Sequence, residues 1–237
     1  MALILGGIVV QNKELDMELL PYPLPPWKHR FRTLSVFCEV EESIIGARVP
    51  KPLKLESNIV QITVMHFESS IPTRPYYDSA VIAQVSYDNK VGGHWIHAFT
   101  STDQVCAGTR EIWGFQMKLA AMELHIDKNR IWGFTERLGR KIINIDMSIT
   151  NEAFEPIRTF PRLFIKALPD ADKPNTRERQ VIQLPAETNI TETVWGMAEV
   201  SFEESVEDPI YLLKPKRIIG ASLVSGNQIL PWGVVLS

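Results

Sequence analysis

Apolar and polar positions alternate along most of this chain after residue 30. Ile143, Ile145, Met147 and Ile149 interleave with Asn144, Asp146, Ser148 and Thr150, a period of two that predicts a strand with one buried face. Leu34, Val36, Cys38 and Val40 repeat the pattern, as do Val81, Ala83, Val85 and Tyr87. Further strands are expected over 59–67, 95–99, 162–168, 179–184, 194–202, 217–224 and 229–236. Many short strands separated by turn residues argue for an all-β barrel or sandwich. Helical signal is confined to two places. Residues 41–47 read as a short helix that ends before Val49-Pro50, because the residue preceding a proline avoids the α region. Ser101 stands three residues before Gln104, a capping box that opens a helix running to about Ile112, where Gly114 stops it. Residues 21–27 carry four prolines and read as part of an extended N-terminal arm over 1–30. Residues 170–179 read as a polar hairpin loop with Pro174 and Asn175 at its tip.

Composition narrows the function classes. With 237 residues, 45% of them hydrophobic, the chain can bury a full core, and it reads as one domain over 1–237. A net charge of −3 gives no basic footprint for nucleic acid. The densest basic cluster, Lys214-Pro215-Lys216-Arg217, reads as a solvated strand entry. Cys38 and Cys106 lie in apolar contexts without metal-like spacing and read as free thiols. The apolar stretch 1–10 lacks a basic leader and is too short to span a bilayer, so a cytoplasmic protein without a membrane partner is expected. On that basis Asn189-Ile190-Thr191 is discounted as a glycosylation acceptor. His94 and His97, three apart, fall on opposite faces of a strand, and no metal site is expected.

The stretch Gly108-Thr109-Arg110-Glu111-Ile112-Trp113-Gly114-Phe115-Gln116-Met117-Lys118-Leu119-Ala120 resembles the active-site segment of the acetoacetate decarboxylase family. In that family a Gly-Arg-Glu run is followed, three residues and an aromatic later, by Pro-Lys-Lys-Leu, whose first lysine forms a Schiff base with the keto acid. The resemblance extends through Val49-Pro50-Lys51-Pro52-Leu53, the Tyr76-Tyr77-Asp78-Ser79 turn and Pro161-Arg162-Leu163-Phe164-Ile165-Lys166, so it covers nearly the whole chain. It implies an antiparallel β-barrel with an apolar internal pocket, no cofactor and a homo-oligomer.

Where the resemblance puts the amine nucleophile, this chain has Met117. A thioether cannot make an imine. If 115–119 is a strand, Phe115, Met117 and Leu119 share one face, and Lys118 points the other way. Counting from Pro50, a family glutamate falls on Thr63; a second falls on Asp78, and an arginine near the first strand falls on Phe31, between Arg30 and Arg32. Asp78, Glu111 and Arg110 are therefore the candidates for proton transfer and catalysis. Arg110 and Glu111 also read as an ion pair that fixes a helix end against a strand, and Asp78 as a cap on its own turn. Phe31, Arg32, Thr63, Tyr77, Phe115 and Met117 are the candidates for lining a substrate pocket.

Three functions compete. The first is an enzyme that performs an imine-independent cyclisation, isomerisation or dehydration on a small or medium apolar carbonyl compound, of polyketide-like or terpenoid-like character. The second is a β-keto acid decarboxylase that uses Lys118 as nucleophile after a register shift. The third is a non-catalytic barrel that holds a small molecule.

Overall fold

The computed structural model describes residues 20–150, 152–172, 174 and 179–237. The apolar start at 1–10, the first part of the arm expected over 1–30, and Asn175 at the expected loop tip lie outside them. In chain order the elements are β1 (Trp27–Glu39), α1 (Glu42–Gly46), β2 (Lys54–Ile71), β3 (Tyr76–Tyr87), β4 (Lys90–Thr100) and α2 (Asp103–Ile112). They continue with β5 (Met117–Leu119), β6 (Ala121–Ile126), β7 (Arg130–Arg137), β8 (Arg140–Ile149), β9 (Arg162–Lys166) and β10 (Gln180–Leu184). The last are β11 (Glu187–Ser201), a 3-10 turn (Ile210–Leu213), β12 (Arg217–Leu230) and β13 (Val234–Val235).

All thirteen strands among the described residues belong to one sheet, ordered β13-β10-β9-β4-β3-β2-β1-β12-β11-β8-β7-β6, with β5 beside β4. The all-β reading holds, and the hydrogen-bonded path stays open between β13 and β6. The pairings are antiparallel except those of β4 with β5 and with β9.

Strict alternation gives the sheet two buried faces, each with its own core. On one face Leu34 and Val36 of β1, Val60, Ile62 and Val64 of β2, and Val81, Ala83 and Val85 of β3 are buried. The sheet curls so that β6 and β7 pack back over β2, and Ile131, Ile143, Ile145 and Met147 close this core. Each such side chain removed from water contributes roughly 1.5–3 kcal/mol. The opposite face holds a second cluster built on Trp27, Phe31, Met65, Phe67, Trp95, Trp113, Phe115, Met117 and Phe164. That face carries the cavity.

Several elements differ from the sequence reading. The end of the expected arm is strand: Trp27, His29 and Phe31 are buried while Lys28 and Arg30 are exposed, so the period of two already begins there. Residues 76–79 are not a turn but the start of β3, because Tyr76 and Asp78 point into the second core. The β6–β7 hairpin was not expected, although Met122, Leu124 and Ile126 alternate with Glu123 and His125. Residues 217–230 form one long strand, and only two residues beyond it pair with β10. The helix α2 is capped by Thr102, whose hydroxyl accepts from the Val105 amide at 3.4 Å. Ser101 instead accepts from the Tyr77 amide at 2.9 Å.

Candidate active-site cavity

A cavity of about 500 Å³ opens on the second face of the sheet. Its walls follow from alternation. Phe31, Thr33, Ser35 and Phe37 come from β1, and Gln61, Thr63, Met65 and Phe67 from β2. Ser222, Val224 and Gln228 come from β12, and Ile190, Thr193 and Trp195 from β11. Residues 156–160 and Arg162 cover one side. Exposed Ile190, Arg158 and Phe160 mark the rim.

Two glycines let the covering segment lie against β4. The Gly93 amide donates to the Pro161 carbonyl at 3.0 Å, and a Cβ on Gly93 would fall 2.5 Å from the Thr159 carbonyl oxygen. A Cβ on Gly92 would overlap the Pro161 carbonyl. This close approach registers Arg162 opposite Gly93 and directs its side chain into the cavity. Gly114, with φ of +88°, plays the corresponding part after α2, where a Cβ would meet the Lys166 backbone at 2.7 Å.

The polar groups of the wall fall into two sets. One is internally satisfied: Thr159 donates to Gln61 at 3.1 Å, Gln61 donates to Ser35 at 2.9 Å, and Gln228 donates to Thr188 at 3.2 Å. The other set is not. Thr63 Oγ1 and Arg162 Nη1 line the cavity and are buried without a hydrogen-bond partner; Asp78 Oδ1 on β3 and Trp95 Nε1 on β4 are unpaired behind the lining. Buried polar atoms are rarely left unpaired, and Thr63 and Arg162 are the two of these that face the cavity.

Asp78 stands just behind the lining, opposite Met65 in the β2–β3 register. Burial pushes its carboxyl up to about 7, held back by the Thr100 hydroxyl and the Arg162 guanidinium. Burial pulls Arg162 down to about 9, opposed by Asp78 and Tyr76, and it stays cationic at neutral pH. Asp78 and Arg162 act on each other electrostatically, each opposing the shift that burial imposes on the other. Arg162 is instead held between two rings, its guanidinium carbon 4.6 Å from the Trp95 centroid and 4.4 Å from that of Phe160. Nearby, buried Tyr76 and His29 share a hydrogen bond of 3.1 Å.

Of the residues singled out in the sequence, Phe31 and Thr63 line this cavity, and Asp78 adjoins it. The others lie elsewhere. Arg32 faces away and pairs with Glu68 at 3.0 Å, as Arg30 does at 3.2 Å, so neither arginine takes the position occupied by Phe31. Tyr77 also faces away, its ring stacked on His66 at 4.1 Å, because alternation gives Tyr76 the inward place. Arg110 and Glu111 are exposed on α2 and do not pair with each other. Arg110 donates to the Met117 carbonyl at 3.1 Å, and Glu111 accepts from the Tyr22 hydroxyl at 2.6 Å. Phe115 and Met117 are buried in the second core and do not reach the cavity lining; Phe115 packs on Phe164 at 3.8 Å and on Trp95 at 5.0 Å. Lys118 points outward, and its ammonium bonds Asp208 at 2.6 Å. Asp208, fully buried, also accepts from Arg137 at 2.8 Å.

Arg162 was not expected in the site. The Pro161 to Lys166 run was read only as a strand, and an arginine beginning an otherwise apolar buried strand is the signal that marks it. Among the described residues no group of three His, Cys, Asp or Glu could hold a metal ion, and no helix is long and apolar enough to cross a membrane. Cys38 and Cys106 are free, and Cys106 donates to the Met117 carbonyl at 3.5 Å.

A family model described as acetoacetate decarboxylase matches residues 14–236. An acetoacetate decarboxylase of Burkholderia multivorans is 22% identical over 236 residues, covering 96% of each chain. The crystal structure of the Legionella pneumophila acetoacetate decarboxylase superposes with a TM-score of 0.85 at 22% identity, covering 92% of this chain and 90% of the other. The enduracididine biosynthesis enzyme MppR, in complex with the condensation product of pyruvate and imidazole 4-carboxaldehyde, superposes with a TM-score of 0.80 at 12% identity, covering 93% and 92%.

Proposed function

The chain belongs to the acetoacetate decarboxylase family, and from that premise we propose that it is an enzyme that transfers protons on an apolar carbonyl compound without forming an imine. The observation that carries this reading is the absence of any amine among the described residues lining the cavity. Lys118 is engaged by Asp208 on the far side of β5, and Met117 is buried in its stead. The decarboxylase route through Lys118 is therefore not favoured. MppR, a relative by fold, is named for a biosynthetic step and not for decarboxylation.

The chemistry uses Thr63 on the wall and Asp78 directly behind it. Thr63 donates its free hydroxyl to the substrate carbonyl oxygen, and Asp78 takes a proton from the neighbouring carbon. The C–H electron pair moves into the carbonyl, giving an enolate. Returning the proton to a different carbon completes an isomerisation. Expelling a β-hydroxyl that takes the Asp78 proton completes a dehydration, and attack of the enolate on a second carbonyl carbon of the same molecule closes a ring, the C=O π pair moving to that oxygen, which takes the Asp78 proton. A carboxyl poised near 7 is suited to both taking and giving the proton.

The test is isotope exchange. With benzylacetone or cyclohexanone in deuterium oxide, the protein is expected to accelerate exchange of the protons beside the carbonyl, and Asp78→Asn to remove the acceleration. Borohydride added during turnover is expected to leave no lysine adduct. A covalent lysine adduct, or no exchange with a ketone that demonstrably binds, overturns the reading.

A further inference from the structure

Arg162 is the one cation on the buried wall of the cavity among the described residues; Arg158 sits exposed at the rim, its Nε bonded to the Phe160 carbonyl at 3.0 Å. Arg162 is 7% exposed, and its Nη1 has no partner. The Trp95 and Phe160 ring centroids lie 4.6 and 4.4 Å from its guanidinium carbon, and Nη1 is left as a donor for a ligand. A guanidinium edge is a fork of parallel N–H donors that matches the two oxygens of a carboxylate. A buried cation without an ion-paired partner is costly, and a ligand carrying the missing anion offsets that cost.

The rest of the wall describes the body of such a ligand. Phe31, Phe37, Phe67 and Trp195 give the cavity aromatic surface, and a volume of about 500 Å³ is far more than a four-carbon acid fills. We propose that Arg162 is the specificity-determining residue for an organic acid, whose carboxylate it receives in the plane of its guanidinium while an aromatic or extended apolar body lies along Phe31, Phe67 and Trp195. This deepens the preceding reading, because it takes the cavity as the substrate site. The fixed positive charge thus stands on β9, while the entry strand presents Phe31 to the ligand.

The probe pair is hydrocinnamate and hydrocinnamide, which share a phenyl body and differ in charge. Titrated into the intact protein by calorimetry near pH 8, the acid is expected to bind at least about ten-fold tighter than the amide. Arg162→Met is expected to erase that preference while holding amide affinity within about two-fold, and Arg162→Lys to retain part of it. Equal binding of acid and amide by the unaltered protein overturns the proposal, because Asp78 would then suffice as the counter-charge. So does an acid preference that survives Arg162→Met. The wild-type comparison needs no variant to fold. Neither probe reacts, so this result and the exchange result stand or fall separately.

Discussion

Thr63 and Met117 lie on one transverse row of the sheet: Thr63 pairs with Ala80, Ala80 with Ala98, and Ala98 with Met117. Continued the other way, the row passes through Ser35 to Ser222, both in the cavity wall. The positions that the family resemblance assigns to a glutamate and the nucleophilic lysine therefore share a face, two small alanines apart. In this chain a hydroxyl with no partner stands at one end and a thioether in an aromatic cluster at the other.

That cluster makes Met117 a structural residue, and its replacement by lysine is a test of it. Met117→Lys buries an amine among Trp95, Phe115 and Phe164, which holds it neutral. A loss on the order of 3 kcal/mol at pH 7 is expected in urea melts. The folded pKa lies below the unfolded one, so the loss shrinks as the pH approaches 10. Met117→Leu, similar in volume, should cost less than about 1.5 kcal/mol.

Asp78 predicts a pH-dependent gain. Its carboxyl is raised from 3.8 to about 7, so the folded state holds the proton more tightly than the unfolded chain between those values. Stability from this group is present at low pH and is lost as pH rises from about 4 to 7. Asp78→Asn is therefore expected to stabilise the protein by an amount that grows across that window and levels off above it, of order 2 kcal/mol at pH 8. Thermal melts at pH 4, 6 and 8 check the sign. Exchange activity, which needs the carboxylate ionised in the folded state, should rise around pH 7 in the unaltered protein.

The buried histidines act in the other direction. His29 and His94 are driven down to about 4 by burial, with the His94 Nδ1 donating to the Leu163 carbonyl at 2.8 Å, and His97 is lowered to about 4 with Arg48 and Lys118 adding to the burial. In the unfolded chain each takes up a proton near 6.5, so stability is lost as pH falls from about 6.5 to 4. Three such groups outweigh Asp78 alone. Urea midpoints are expected to fall between pH 7 and 4.5, and His94→Gln to flatten the fall.

Gly93→Ala tests how the covering segment is held. The new Cβ would meet the Thr159 carbonyl at 2.5 Å, and that atom belongs to the backbone and cannot rotate away. A loss of roughly 2 kcal/mol is expected. Displacement of 159–162 should also weaken hydrocinnamate binding more than hydrocinnamide binding, since Arg162 moves with it.

Much of the fold was legible because alternation is a local property. Ile143 to Ile149 and Leu34 to Val40 announce their buried faces from the order of residues alone, and the same pattern in 121–126 was there to be read. Alternation also separated Met117 from Lys118, and the structure has one buried and the other bonded to Asp208. Register was harder. Tyr76 and Tyr77 are adjacent and chemically alike, and only the start of β3 at Tyr76, four residues before the strand expected after the turn, decides which enters the core. Arg110 and Glu111 look like an ion pair in sequence, yet α2 directs them to Met117 and Tyr22.

The sequence by itself determined the family, the all-β architecture and the loss of an amine at position 117, since each rests on residue identity, spacing and period. The cavity and its cation were decided by tertiary structure. Arg162 is brought opposite Gly93 by a parallel pairing between strands that α2 and the β5–β8 segment separate along the chain, and two glycines permit the approach. The charge of Asp78 depends on what surrounds it, and Arg162, which opposes the effect of its burial, comes from β9 and reaches it only when the sheet is assembled.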